Sequence, residues 1–229
     1  MKPKLIILVL ISSLLSGICV YYFYVKKEVN MSEGSKYQII YLNGPSSVGK
    51  STLARALQDK LKNPFLIIGI DQIIFMMPEK LNDWHHGTEA PGFSWQPVKD
   101  EQGNIIAHKI HTGPFGKQMT QAFKDIVVTL AKSGHYVIVD DVSFGKEQVD
   151  EWHSALKRFN VLWVGVTAPI EILEQRERAR ADRKLGSARW QAERVHANVN
   201  YDLVIDTHGK NVDDNVEVIK QLATRTAPI

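Results

Sequence analysis

Eight consecutive residues, Gly44-Pro45-Ser46-Ser47-Val48-Gly49-Lys50-Ser51, fit the spacing G-x-x-x-x-G-K-[ST]. The residue types say what such a stretch can do. Gly44 and Gly49 carry no Cβ, so the backbone between them can turn its N–H groups around an anion. A helix starting near Lys50 would add the positive end of its dipole. The Lys50 ammonium can reach β- and γ-phosphates, and the Ser51 hydroxyl can bind Mg²⁺. The expected nucleotide contacts are therefore Gly44, Pro45, Ser46, Ser47, Val48, Gly49, Lys50, Ser51 and Thr52, with ATP and Mg²⁺ as cofactors. A Gly/Ser turn capped by Ser51 is the plainer reading of the same letters, and the flanking elements must decide between the two.

Three further sets of residues would complete a phosphoryl transfer. Asp71 closes the apolar run Phe65 to Ile70. Ligands of open parallel sheets gather at the carboxyl ends of strands. Asp71 is therefore expected beside the γ-phosphate, as the base that takes the proton of an acceptor hydroxyl. Its alternative role is to cap a helix over 72–77. Asp140 and Asp141 end the apolar run that begins at Tyr136, a Walker B pattern. Asp140 is expected on the metal side with Ser51, and Asp141 toward the acceptor. The stretch Arg176 to Lys184 holds five cations in nine residues. Such a run is ordinarily a solvated helix face, with Glu177 and Asp182 as partners. Its position after a fourth apolar strand favours a lid, with Arg176, Arg180 and Arg183 as candidates to neutralise the transferring group.

The elements that must hold these groups can be read from periodicity. Apolar runs at 37–42, 65–70, 136–139, 161–166 and 201–207 read as buried parallel strands. Between them lie helical patterns. Leu53, Leu57 and Leu61 mark one after the glycine loop, and Met119, Phe123, Ile126, Val127 and Leu130 mark another over 117–133, ended by Gly134. Further helices are expected over 146–158, from Pro169 onward, over 187–199 with Ser187 as cap, and over 211–223. Strand, glycine loop, helix is the context the motif needs. The alternation predicts an α/β chain with a three-layer P-loop NTPase fold and a five-stranded parallel sheet.

Residues 82–116 break the alternation. Phe93 to Val98 and Asn104 to Ala107 can pair as a hairpin across Asp100-Glu101-Gln102-Gly103. This insertion is expected to cover the acceptor, with Phe93 and Trp95 touching it; a separate apolar cluster is the alternative. His108 and His111 are three apart, so on a strand they point to opposite faces and do not make a metal pair.

The 229 residues carry a net charge of +3, too mild for a nucleic-acid partner. Cys19 is the only cysteine, so no internal disulfide can form. Leu5 to Val25 holds no charge and, as a helix, would span about 31 Å, with Tyr21, Tyr22, Phe23 and Tyr24 where an aromatic belt would lie. Residues 1–30 are accordingly expected as a single-span anchor in the inner membrane. Residues 31–36 are then a linker, and 37–229 a kinase domain on the cytoplasmic side, where ATP is. A cleaved signal peptide, or a start at Met31 that would leave the protein cytoplasmic, are the competing readings. Nothing in the sequence points to an oligomeric state.

Leu42 to Ser51 together resemble the loop of the chloramphenicol phosphotransferase-like proteins. So do Gly69-Ile70-Asp71, Ile138 to Val142, Leu162 to Val166, Arg176 to Arg183, and Val195-His196 followed by Tyr201-Asp202. The resemblance runs over about residues 37–225 and implies an ATP-dependent kinase acting on a primary hydroxyl of a small molecule. It implies Asp71 as general base, Lys50 and Ser51 as phosphate and Mg²⁺ contacts, and an arginine lid over 176–187. A chloramphenicol-like antibiotic, with resistance as the use, is one acceptor; a nucleotide-sugar or another metabolite is a second. A membrane-tethered nucleotide switch with no acceptor is the reading from a different class.

Overall fold

The structure, a computed structural model, describes residues 34–180 and 184–224. At its centre is β1 (Ile39–Asn43), every residue of which is buried. Alternation along a strand sends successive side chains to opposite faces. Ile40 and Leu42 join an apolar cluster on one face, and Ile39 and Tyr41 join another on the other face. A strand that is apolar on both faces needs helices on both sides, and it has them.

Four further strands complete the main sheet: β2 (Phe65–Gly69), β5 (Tyr136–Asp141), β6 (Val161–Thr167) and β7 (Leu203–Asp206). Their order is β2-β5-β1-β6-β7, and every pairing is parallel. One covering layer holds α1 (Lys50–Lys60), α5 (Ile170–Arg178), α6 (Ser187–Val195) and α7 (Val212–Thr224). It packs Leu53, Leu57, Leu173, Ala188, Val216 and Ile219 against Ile40, Leu42, Ile138 and Val164. The other layer holds α2 (Ile70–Phe75), α3 (Pro114–Lys132) and α4 (Gly145–Leu156), which bring Ile73, Phe123, Val127, Trp152 and Leu156 to Tyr41, Val137 and Val139. The expected three layers and five parallel strands are present.

The excursion between α2 and α3 is an antiparallel hairpin of β3 (Phe93–Lys99) and β4 (Ile105–Thr112). The expected turn lies between them, with Gly103 at φ +87 in the left-handed region that favours glycine. β4 runs further than expected, pairing Thr112 with Phe93.

Several boundaries differ from the sequence reading, each for a local reason. The chain turns helical at Ile70, so Asp71 lies inside the first turn of α2 rather than at a strand end or a cap. Gly69 is the cap residue, and its N–H donates to Gln72 Oε1 at 2.8 Å. Ser187 is the first residue of α6, not its cap; Gly186, at φ +82, stands before it. The helix ends at Val195 instead of continuing to Val199, since the chain must turn there to reach β7.

The expected inner-membrane placement is corrected. Among the described residues no helix is long and apolar enough to cross a membrane. The apolar helix expected over residues 5–25 lies outside the described residues, so nothing in the fold supports a span or an anchor.

Candidate functional site

The register of the sheet brings the chemistry-bearing residues to one edge. At the carboxyl ends of the strands Leu42 lies opposite Asp140, Asn43 opposite Asp141 and Gly165, and Gly69 opposite Asp140. The glycine loop leaves β1 at this edge and enters α1. Gly44 must be glycine because a Cβ there would meet the Val166 carbonyl oxygen at 2.4 Å. Gly49 turns the loop into the helix at φ +100, and Ser47 takes the same left-handed region at φ 64. A non-glycine residue is uncommon there, and such strain gathers at ligand-binding loops.

Lys50 is buried. Its Nζ donates to the Gly44 carbonyl at 2.9 Å and the Pro45 carbonyl at 3.1 Å, and stands 3.8 Å from Asp140 Oδ1. The Ser51 hydroxyl donates to Asp140 Oδ2 at 2.6 Å. The Ser46 and Ser47 hydroxyls are buried with no hydrogen-bond partner. Buried hydroxyls in a strained loop at a helix N-terminus, beside a lysine, fit an incoming phosphate chain. Among the described residues no group of three or more His, Cys, Asp or Glu could hold a metal by itself. Ser51 and Asp140 supply hard oxygen ligands of the kind Mg²⁺ shares with substrate phosphates. The residues therefore fit both groups.

A cleft of about 1830 Å³ opens over this edge. A single ligand pocket usually measures about 300–1,000 Å³, so there is room for a nucleotide and an acceptor together. The cleft is lined by Ser46, Ser47, Gly49, Lys50, Ser51 and Thr52, by Asp71 and Asp140, and by Arg176 and Arg180. Phe93 and Trp95, both buried, line it from the hairpin, and Trp84 joins them with its ring 6.3 Å from that of Trp95. Trp84 escaped the sequence reading because it lies in an irregular loop without periodicity. Asp83, beside it, accepts from the Thr88 hydroxyl and from the N–H groups of Thr88, His85 and His86. Those bonds, the Thr88 hydroxyl foremost, hold its carboxyl well below the usual range. The loop that presents Trp84 is thus pinned by one carboxylate.

The two ends of the Walker B pair part company. Asp140 faces the loop, whereas Asp141 is buried and accepts three donors at Oδ2: Tyr41 at 3.0 Å, Ser143 at 2.6 Å and Trp152 Nε1 at 2.8 Å. Burial, then the Asp141 charge, pushes the Tyr41 phenol well above its usual range. Asp141 also lines the cleft. Asn43 extends this network. It bonds Ser143 through both backbone groups and donates to the Tyr201 hydroxyl at 2.9 Å. Tyr201 meets His196 Nδ1 at 3.0 Å, while His196 Nε2 lies 3.2 Å from the Val166 carbonyl. Only an N–H can satisfy that carbonyl, so Nε2 carries the proton and Nδ1 accepts from Tyr201.

The arginine segment also divides. Arg176 is held by three bonds, to the Val48 carbonyl at 3.2 Å, the Thr207 hydroxyl at 3.0 Å and the Thr207 carbonyl at 3.0 Å. Arg180 is exposed at the rim, and Arg183 lies outside the described residues. Glu177 is not a surface partner for these cations. It is 1% exposed and accepts from Gly186 N–H at 2.8 Å, Ser187 Oγ at 2.5 Å and Ala188 N–H at 2.7 Å. Its charge caps α6 and ties together the two ends of the 179–186 segment.

The model of the chloramphenicol phosphotransferase-like protein family matches residues 37–224. The chain belongs to this family. A relative in two strains of Mycobacterium tuberculosis, provisionally named an O-phosphotransferase, is 31% identical over 187 residues, covering 77% of this chain and 76% of the relative. Among solved structures, an unliganded sugar kinase from Janibacter sp. HTCC2649 matches with a TM-score of 0.55 at 16% identity, over 81% of this chain and 92% of that one. The Mycobacterium tuberculosis APS kinase in complex with AMPPNP and APS matches with a TM-score of 0.54 at 16% identity, over 83% of this chain and 98% of that one. At such identities the two structures speak to fold alone. Family and fold together place this chain in a phosphotransferase-like family whose fold solved kinases share.

Proposed function

We propose that the chain is an ATP-dependent O-phosphotransferase acting on a hydroxyl of a small molecule. The observation that carries the reading is the shared cleft: Asp71 lines the same cavity as Lys50, Ser51 and Asp140, and that cavity has room for two substrates. In this reading the acceptor hydroxyl gives its proton to the Asp71 carboxylate as its oxygen bonds the γ-phosphorus. The bond from that phosphorus to the bridging oxygen breaks, and ADP leaves with the electron pair. Lys50 and the loop amides other than that of Ser46, which donates to Gln191 Oε1, hold the phosphates, with Gly44 to Thr52 as the binding stretch. Mg²⁺, held through Ser51 and Asp140, would offset charge between the outer phosphoryl groups.

Residues 37–229 then form the kinase domain. The 82–116 excursion receives the acceptor through Phe93, Trp95 and Trp84, and Asp141 borders it. The 176–187 segment serves as the lid, with Arg176, Arg180 and Arg183 as its cations. A chloramphenicol-like antibiotic and a nucleotide-sugar or other hydroxylated metabolite are the acceptors to try. The test is mass spectrometry of a panel of hydroxyl compounds incubated with the full chain and Mg²⁺-ATP. At least one product should gain a phosphoryl group, and Asp71→Asn should cut that turnover by about 10²–10⁴-fold with ATP affinity kept. An Asp71→Asn protein as active as its parent would remove Asp71 as the base, and a panel in which no compound gains a phosphoryl group would remove the transfer reading in favour of a nucleotide switch.

A further inference from the structure

Helix α6 carries a polar side chain that neither the phosphate motif nor the lid accounts for. Gln191 is 4% exposed and sits at the wall of the cleft beside Ser46 and Ser47. The backbone N–H of Ser46 donates to its Oε1 at 2.6 Å. A backbone N–H can be met only by an oxygen, so chemistry fixes which way the carboxamide faces. Oε1 is turned to the loop, and the bond to Ser46 leaves both Nε2 hydrogens for the cleft. Two buried hydroxyls without partners, Ser46 Oγ and Ser47 Oγ, lie in the same corner. Unmatched hydroxyls of the loop and an amide clamped from a helix therefore line the same cleft. That helix is itself held at its N-terminus by the buried Glu177.

We propose that Gln191 is a catalytic residue: its Nε2 donates a hydrogen bond to a non-bridging oxygen of the phosphoryl group in flight. The inference rests on the phosphotransferase reading and adds a donor to it. A donor held rigidly in a buried site needs no reorganisation when charge develops, and the loss of one such donor costs about 10²–10³ in rate. Oε1 keeps the amide plane fixed while Nε2 does the chemistry. The same bond makes α6, and through it the base of the 179–186 segment, sensitive to what the loop holds.

The experiment compares the full-length protein with Gln191→Glu and Gln191→Met. The first keeps an oxygen for the Ser46 N–H but replaces the donor with a negative oxygen. The second keeps length and removes both polar ends. Calorimetry would give Kd for Mg²⁺-ADP and for Mg²⁺-ADP with tetrafluoroaluminate, a planar mimic of the group in transfer. Expected are ADP affinities within about threefold of the parent and a loss of about 10²-fold for the fluoroaluminate complex, with a matching fall in kcat. Either variant decides if it is folded by circular dichroism. An unchanged fluoroaluminate affinity, or equal losses for both ligands, would overturn the proposal and leave Gln191 as a loop-shaping residue. A parent protein that binds neither ligand would instead overturn the phosphotransferase reading, and this inference with it.

Discussion

Two arginines from one basic run are differently exposed, and that difference has consequences. Arg176 is fastened to the Val48 carbonyl and to Thr207, so it braces the phosphate loop from outside. Arg180 is exposed and lines the cleft. Arg176→Ala should raise the KM for ATP by about tenfold, because hydrogen bonds to a charged group contribute about 1.5–3 kcal/mol. Arg180→Ala should instead lower kcat by about 10²–10³-fold with KM little changed, as for an arginine that acts on the transferring group. Steady-state kinetics on the two proteins checks the split; equal behaviour would mean that their different exposure has no functional counterpart. Periodicity cannot make this distinction, since both side chains look alike in a charged run.

Among the elements, the junction of α5 and α6 depends on Glu177. A carboxylate 1% exposed is tolerable when three donors converge on it, as here. Glu177→Ala should leave the Gly186 and Ala188 N–H groups and the Ser187 hydroxyl unmet, lowering stability by about 1–3 kcal/mol. Chemical denaturation measures this. Limited proteolysis should show faster cutting within 179–186, since the segment loses the tie between its ends. Glu177→Gln should recover part of the stability, as its one oxygen can still accept. The hairpin is a second such case. Its strands and turn were readable from alternation and from Asp100 to Gly103. Its contact with the segment that leads into α6, where His108 Nδ1 lies 2.9 Å from the Leu185 carbonyl, was not, because 77 residues separate the partners.

For the whole molecule, the network that joins β1, β5, β6 and the connection between α6 and β7 predicts a pH dependence. Burial, first, lowers the pKa of His196 below its ordinary value of about 6.5. A group with a depressed folded pKa binds protons more readily in the unfolded chain. His196 therefore contributes its full stability above about pH 6.5, and that contribution falls as the pH drops below this value toward the folded pKa. Unfolding free energy measured by urea between pH 8 and 5 should decline on the acid side. His196→Asn should flatten the decline, at the cost of stability at pH 8. A parent curve with no acid-side slope attributable to residue 196 would contradict the lowered pKa of His196. Tyr201, pushed up to about 12 by burial, stays protonated throughout this range and keeps donating to His196.

The phosphate loop, the parallel strands and their covering helices were legible from the residues alone, because local spacing dictates them. Glycines in a fixed register, apolar runs and the 3.6 period are properties of neighbours in the chain. Asp71 and Asp140 were likewise singled out by their place after strands, and both line the cleft. What needed the folded chain were relations between distant residues. The sheet register sends Asp140 to the loop but Asp141 into a buried network. Folding also brings Gln191 to the Ser46 N–H, across 145 positions of sequence, and turns Glu177 inward as a cap. Burial and hydrogen-bond partnership are decided by packing, and packing is set by which elements meet rather than by the order in which they are written.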